Sequence, residues 1–305
     1  MDVSRRTFIA MGTAAAAASG ATGQERPVSR GRKPGAGKLF RIGVLTCHPS
    51  HHHMPNIWGP LINCTPMGTG GFVPTRMTGM ELTHIWDRDP ARMESFSKTF
   101  GTKPVSRYDA MADKVDGVIL SDIRNLDYFP QLAEPYLKAG VPVLFNRPFV
   151  SNLGNAKKIA AMSKKYGTPF LAASSWEYCK EVYAMRKKVE EWDAATIRSV
   201  AAFNSSYEIT HDLHGVWLIL AMIGGGVESV AVSRTVESIH EYGADAWTMV
   251  FSARGKSKPF TAVLNNTIDP DSNAWVRVTF DKGTFEQNMW HTIGGDSESR
   301  DRKST

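Results

Sequence analysis

From Phe40 onward short apolar runs alternate with helical stretches, the pattern of a parallel sheet with helices packed on its faces. Phe40–Thr46 (FRIGVLT) reads as a buried first strand, and Met80–Asp87 (MELTHIWD) as a second that ends in an acid. Pro90–Phe100 is a helix opened by proline, a good first-turn residue because an N–H there would have no helical partner. Val115–Ser121, Val141–Phe145 and Pro169–Ala173 are further strands. Between them lie a helix at Phe129–Ala139, closed by Gly140, and another at Asn155–Tyr166. Residues 39–175 therefore read as a Rossmann-like, doubly wound parallel sheet. After residue 180 the texture changes. A helix (Glu181–Trp192) leads into β-rich segments at Ile197–Tyr207, Val230–Thr235, Ala246–Ser252, Phe260–Asn265, Ala274–Phe280 and Thr284–His291, with one helix, Leu213–Ile223, among them. That order predicts an α+β domain over residues 176–295 with an open antiparallel sheet, followed by a frayed polar tail at 296–305. The fold class expected is α/β.

Composition changes this picture at the N-terminus. With 42% apolar and 22% charged residues the 305-residue chain is globular and long enough for about two domains. It is neither disordered nor collagen-like. The formal charge of +6 invites a nucleic-acid partner, but residues 1–41 hold eight basic and two acidic side chains and carry all of it. The body behind them is neutral, which argues against a polyanion ligand. Ser4-Arg5-Arg6-Thr7-Phe8-Ile9, a mildly apolar run to Ala18 and the small residues Ser19-Gly20-Ala21 follow the order of a twin-arginine export leader over residues 1–21. Residues 22–38 read as a flexible tether. An exported, periplasmic location follows from that leader. No stretch approaches the ~20 apolar residues that span a bilayer, so no integral membrane contact is expected. Three cysteines, Cys47, Cys64 and Cys179, make no disulfide framework.

Three segments carry a family resemblance: Ala139-Gly140-Val141-Pro142-Val143-Leu144-Phe145-Asn146-Arg147-Pro148, the preceding strand Val115-Asp116-Gly117-Val118-Ile119, and Leu213-His214-Gly215-Val216-Trp217-Leu218 with Gly224-Gly225-Gly226 behind it. In order and spacing they resemble the A-G-x-x-V-x-x-E-K-P and G-x-H-x-x-D elements of the Gfo/Idh/MocA oxidoreductases, relatives of glucose–fructose oxidoreductase and inositol dehydrogenase, over about residues 40–295. The resemblance implies NAD or NADP as cofactor, hydride transfer at a carbon of a sugar, polyol or similar small molecule, and a homo-oligomer joined through the open sheet.

The chain departs from the family pattern at three places, and most of the candidate site residues lie at the departures. In place of a glycine-rich phosphate loop stands Thr46-Cys47-His48-Pro49-Ser50-His51-His52-His53. A turn of this kind still presents N–H groups and a hydroxyl to phosphate, with imidazoles at His48 and His51 as extra donors. Thr46, His48, Ser50 and His51 are therefore cofactor candidates. Asn146-Arg147-Pro148 replaces Glu-Lys-Pro. Arg147 keeps the charge and forks to a hydroxyl or carboxylate, but it cannot act as a general base. Trp217 stands where the family has an acid three residues after His214. His211, His214 and Arg147 are the catalytic candidates, with His211 or Asp212 substituting for the lost partner. Trp176, Asp212 and Trp217 are the substrate candidates. Asp87 closes the second strand, where an acid holds adenosine ribose hydroxyls, and Arg88 beside it tolerates a 2′-phosphate. Ser121, Asn146 and Arg147 complete the cofactor set at the sheet's C-terminal edge.

Two further readings remain open. Cys47, His48, His51, His52, His53 and Cys64 are soft ligands clustered in sequence. They lack a recognised spacing, so no metal site is assigned, but a metal-assisted hydrolase or lyase on the same fold is a rival. Loss of the glycines, the lysine and the acid also suits a protein that binds carbohydrate without redox turnover.

Overall fold

The computed structural model describes residues 39–47, 53–63, 77–122, 125–172, 174, 180–191, 197–205, 209–223, 227–236, 246–254, 259–267 and 274–288. The chain divides into two compact units between Ala173 and Ser174.

In the first unit β1 (Phe40–Leu45), β2 (Met80–Trp86), β3 (Lys103–Pro104), β4 (Gly117–Leu120), β5 (Val143–Phe145) and β6 (Phe170–Ala172) form one sheet in the order β3-β2-β1-β4-β5-β6. Every neighbouring pair is parallel. The chain steps outward from β1 to β2 and β3, then crosses back to β4, β5 and β6. A π-helical turn (Met54–Trp58) runs into the short α1 (Gly59–Ile62); α2 (Pro90–Phe100), α3 (Phe129–Lys138) and α4 (Leu153–Tyr166) follow. The π turn, α1 and β3 are elements that hydrophobic period did not predict: each is short, and Pro55, Pro60 and Pro104 interrupt them.

Local chemistry explains the longer helices. Asp89 caps α2, its carboxylate accepting from the amides of Ala91 and Arg92 at 2.9 and 3.3 Å. Gly101, at φ 72°, closes it in the left-handed region that glycine enters without a Cβ penalty. The central strands are apolar because both faces are covered: Val44, Leu45, Ile85 and Leu120 are all buried. A Cβ on Gly43 would lie 2.8 Å from the Met111 sulfur and 3.1 Å from Val118, so the close approach of β1 to its neighbours needs glycine there. Arg41, counted with the basic N-terminal segment, belongs to β1 and forks onto Asp116 with two 2.9 Å hydrogen bonds.

The second unit holds α5 (Lys180–Glu191), β7 (Ile197–Ser205), α6 (Ile209–Ile223), β8 (Val227–Val236), β9 (Ala246–Arg254), β10 (Pro259–Thr267), β11 (Ala274–Phe280) and β12 (Gly283–Asn288). Its sheet runs β12-β11-β7-β10-β9-β8. The expected antiparallel sheet is in fact mixed, because β7 and β10 lie side by side in parallel while their other neighbours are antiparallel. The reason is the crossover through α6, which returns the chain in the direction of β7. The β8–β9–β10 meander then reaches β7 through its third strand. Along β10, Ala262 and Leu264 are buried whereas Thr261 and Asn265 are exposed, the period of two that an open sheet requires. The buried face packs with Val182 and Met185 of α5 and Val216, Ile219 and Leu220 of α6 in one core. Among the described residues no helix is long and apolar enough to cross a membrane.

Candidate functional site

In the first unit the connections after β1 and β4 leave their strands in opposite directions, the arrangement that opens a ligand crevice at the carboxyl ends of a parallel sheet. Thr46, first after β1, has φ 66°. A β-branched residue in the left-handed region costs about 1–3 kcal/mol. It stays there because its amide donates to the Trp86 carbonyl at 2.8 Å and its hydroxyl to the Ser121 carbonyl at 2.7 Å. Thr46 thus ties the ends of β1, β2 and β4 together.

At the end of β2, Asp87 is buried with both oxygens engaged. Oδ2 accepts from the Cys47 amide at 2.8 Å and faces the Cys47 thiol at 3.5 Å; Oδ1 accepts from the Asp89 amide at 2.8 Å and from Arg92 Nη2 at 2.7 Å. Burial pushes its carboxyl up, but the Arg92 hydrogen bond, the two amides and the Arg92 charge outweigh that and hold it below the ordinary range. The Cys47 thiol moves the other way: burial and then the Asp87 charge raise it far above an ordinary thiol. Next to this closed knot Arg88 is exposed, its guanidinium 4.1 Å over the Tyr128 ring and 3.3 Å from Asn125 Oδ1.

The ends of β4 and β5 look different. Asn146 Nδ2 donates to Ser121 Oγ at 2.9 Å. Asn146 Oδ1 lies 3.1 Å from His53 Nδ1, and His53 Nε2 lies 3.2 Å from Arg147 Nη2. Ser121, Asn146 and Arg147 are buried. His53, at the start of the π turn, is half-buried. The Arg147–Pro148 peptide bond is cis. His53 is the residue the sequence did not single out for this edge; of the four histidines in the turn it is the one among the described residues, and it reaches the ends of β4 and β5.

In the second unit His214 of α6 is buried, with Nδ1 hydrogen-bonded to the Ser174 hydroxyl. The hydrogen-bond partner of this ring nitrogen is thus a serine forty positions upstream in the chain. Trp217 packs against the core of this unit. His211 and Asp212 lie on α6, and their side chains fall outside the described residues, as do His48, Ser50, His51, His52, Cys64, Trp176 and Cys179. Among the described residues no three His, Cys, Asp or Glu side chains gather as metal ligands.

An all-parallel sheet in the order β3-β2-β1-β4-β5-β6, polar at its carboxyl edge, defines a Rossmann unit of the dinucleotide-binding type. Residues 67–192 match the model of the oxidoreductase family with an NAD-binding Rossmann fold. The matched model is that of the Gfo/Idh/MocA oxidoreductases, which this segment of the chain resembles. Solved structures with the same fold include GenD2 from gentamicin A biosynthesis in complex with NAD (TM-score 0.66, 16% identity, 87% of this chain and 76% of that one). The WlbA dehydrogenase of Chromobacterium violaceum, in complex with NADH and UDP-GlcNAcA, gives a TM-score of 0.64 at 16% identity over 83% of this chain and 75% of its own. The apo scyllo-inositol dehydrogenase of Lactobacillus casei gives 0.65 at 13% identity over 82% and 75%. A search of curated protein sequences finds no match. At the β4 and β5 ends a hydroxyl and a carboxamide lie beside a buried guanidinium; a hydroxyl and a carboxamide are groups whose chemistry fits the ribose hydroxyls and amide of a nicotinamide cofactor.

Proposed function

We propose that this protein is an NAD- or NADP-dependent oxidoreductase that transfers hydride to or from a carbon of a sugar, polyol or related small molecule. The observation that carries the reading is the buried Arg147, tied to Asn146 and Ser121 through His53, at the carboxyl edge of a Rossmann sheet. A bound nicotinamide supplies the hydride acceptor or donor. Ser121, Asn146 and Thr46 hold its half of the cofactor, and Arg88 on Tyr128 offers a flat cationic platform to the adenosine half. Asp87, saturated by protein donors, shapes that end rather than binding ribose. Arg147 stabilises the negative charge that develops on the substrate oxygen and takes no proton itself. His214 is the acid–base group of the second unit, its ring set by Ser174. The neutral body, and the UDP-sugar in the WlbA neighbour, support a sugar-like substrate. The twin-arginine pattern at Arg5-Arg6 supports export, and the open sheet face of the second unit supports a homo-oligomer.

Fluorescence titration of the purified, untagged chain with NADH and NADPH tests the cofactor. The expected outcome is saturable binding of at least one, followed by turnover with a member of a sugar and polyol panel. Failure to bind either, with no nucleotide released on denaturation, overturns the reading. Lysine substitution of Arg5 and Arg6 abolishes export if the leader is of the twin-arginine type.

A further inference from the structure

We propose that His53 aims Arg147, acting as a neutral imidazole protonated on Nδ1. The assignment follows from donor and acceptor chemistry. A guanidinium has only donors, so the His53 Nε2 that meets Arg147 Nη2 at 3.2 Å presents a lone pair. A neutral ring then carries its single proton on Nδ1, which lies 3.1 Å from Asn146 Oδ1, an acceptor. With its oxygen turned to His53, the Asn146 amide directs its NH2 at Ser121 Oγ, 2.9 Å away. One arrangement thus satisfies all four side chains. The alternatives fail: the other tautomer sets N–H against N–H, and an imidazolium sets a cation and a donor against the guanidinium.

The relay has a purpose. A free arginine side chain carries about 2 kcal/mol of rotamer entropy, and a cation that stabilises a developing charge acts well only when it is held in place beforehand. Arg147 is the last residue before Pro148 at the end of β5, and its backbone does not by itself aim a long side chain. His53 reaches it from the turn after β1, so three strand ends converge on the orientation of one guanidinium. His53 is thereby a positioning residue. Its hydrogen bond to Arg147 also gives Nε2 a role other than metal ligation, which separates it from a soft-ligand cluster.

The consequence for turnover rests on the oxidoreductase reading; the tautomer and the Arg147 contact do not. Long-range 1H–15N correlation on the full chain with labelled histidine and arginine, assigned through His53→Gln, tests the structural part. A protonated Nδ1 and an unprotonated Nε2 at neutral pH, with an Arg147 Nε–H resonance displaced by His53→Leu, are expected. An Nε2–H tautomer, an imidazolium, or an Arg147 resonance indifferent to His53→Leu overturns the proposal. His53→Gln retains an acceptor for Arg147 and a donor for Asn146, whereas His53→Leu retains neither. In the turnover assay kcat falls about tenfold or more for leucine, with NADH affinity unchanged within about threefold and most of the rate recovered by glutamine. Equal losses in the two variants overturn it. Absence of NADH binding in the wild-type chain fails the functional reading instead, and the resonance measurements still decide the relay.

Discussion

The two ends of the first unit's sheet edge solve the same problem in opposite ways. At β2 a buried acid is surrounded by protein donors until nothing is left over: Cys47, Asp89 and Arg92 use both Asp87 oxygens. At β4 and β5 the polar chain from Ser121 through Asn146 and His53 leads to a buried guanidinium, with neutral side chains rather than a carboxylate along the way. The first arrangement holds strand ends together. The second gathers neutral polar groups around one buried guanidinium. An acid at the close of a second strand is therefore not a ribose ligand by position alone; the number of donors around it decides.

The comparison breaks most readily at Asp87. Its replacement by alanine leaves Arg92 and two amides without their acceptor and should cost about 3 kcal/mol, read by urea denaturation and by faster hydrogen exchange at the Cys47 and Asp89 amides. Because the folded carboxyl lies below its unfolded value near ~3.9, its contribution is present above that pH and is lost as pH falls through the folded pKa. The stability gap between wild type and Asp87→Asn should shrink as the solution is acidified. A gap that widens contradicts the ion-pair account. In the same knot the Cys47 thiol, raised by burial and the Asp87 charge, should resist alkylation in the native chain and react once it is unfolded.

At the other end the loss should appear in chemistry. Arg147→Met is expected to lower turnover about 100-fold, which corresponds to ~2.7 kcal/mol, while NADH affinity changes little. A pure stability loss with normal turnover of the folded fraction would place Arg147 with Asp87 as a structural residue. Ser174→Ala, in the second unit, should cost about 1 kcal/mol and change the His214 tautomer seen by 15N resonance; an unchanged ring would show that another group sets it. Thr46→Gly is the smallest effect. Relief of the left-handed strain offsets the lost hydroxyl bond, so stability should stay within about 1 kcal/mol. A large loss would mean that the Thr46 hydroxyl, rather than the turn's shape, binds the strand ends.

Much of the fold was legible before any coordinates. The strands and helices of the first unit announce themselves because buried parallel strands are continuous apolar runs, α2 and α3 carry proline in their first turn, and α2, α3 and α4 are closed by glycine. α2 runs over Pro90–Phe100, as the residues suggested. Less legible were the short elements at Met54–Trp58 and Lys103–Pro104, and the parallel β7/β10 pair, since strand direction depends on which strand of a meander is captured. Among the candidate residues, Arg147 and His214 were singled out by their motifs, while the contacts His53 and Ser174 make with them were not, because no sequence spacing relates His53 to Arg147 or Ser174 to His214.

Side chains and their near neighbours dictate which segments bury apolar surface, that the positive charge belongs to the N-terminal segment, and that Arg147 brings a charge but moves no proton. Only the tertiary structure decided that Asp87 is consumed by its own protein and that His53 reaches Arg147. Hydrogen-bond partners are allotted among groups far apart in the chain, and a donor or acceptor acquires its role only when folding fixes what stands within 3 Å or so of it.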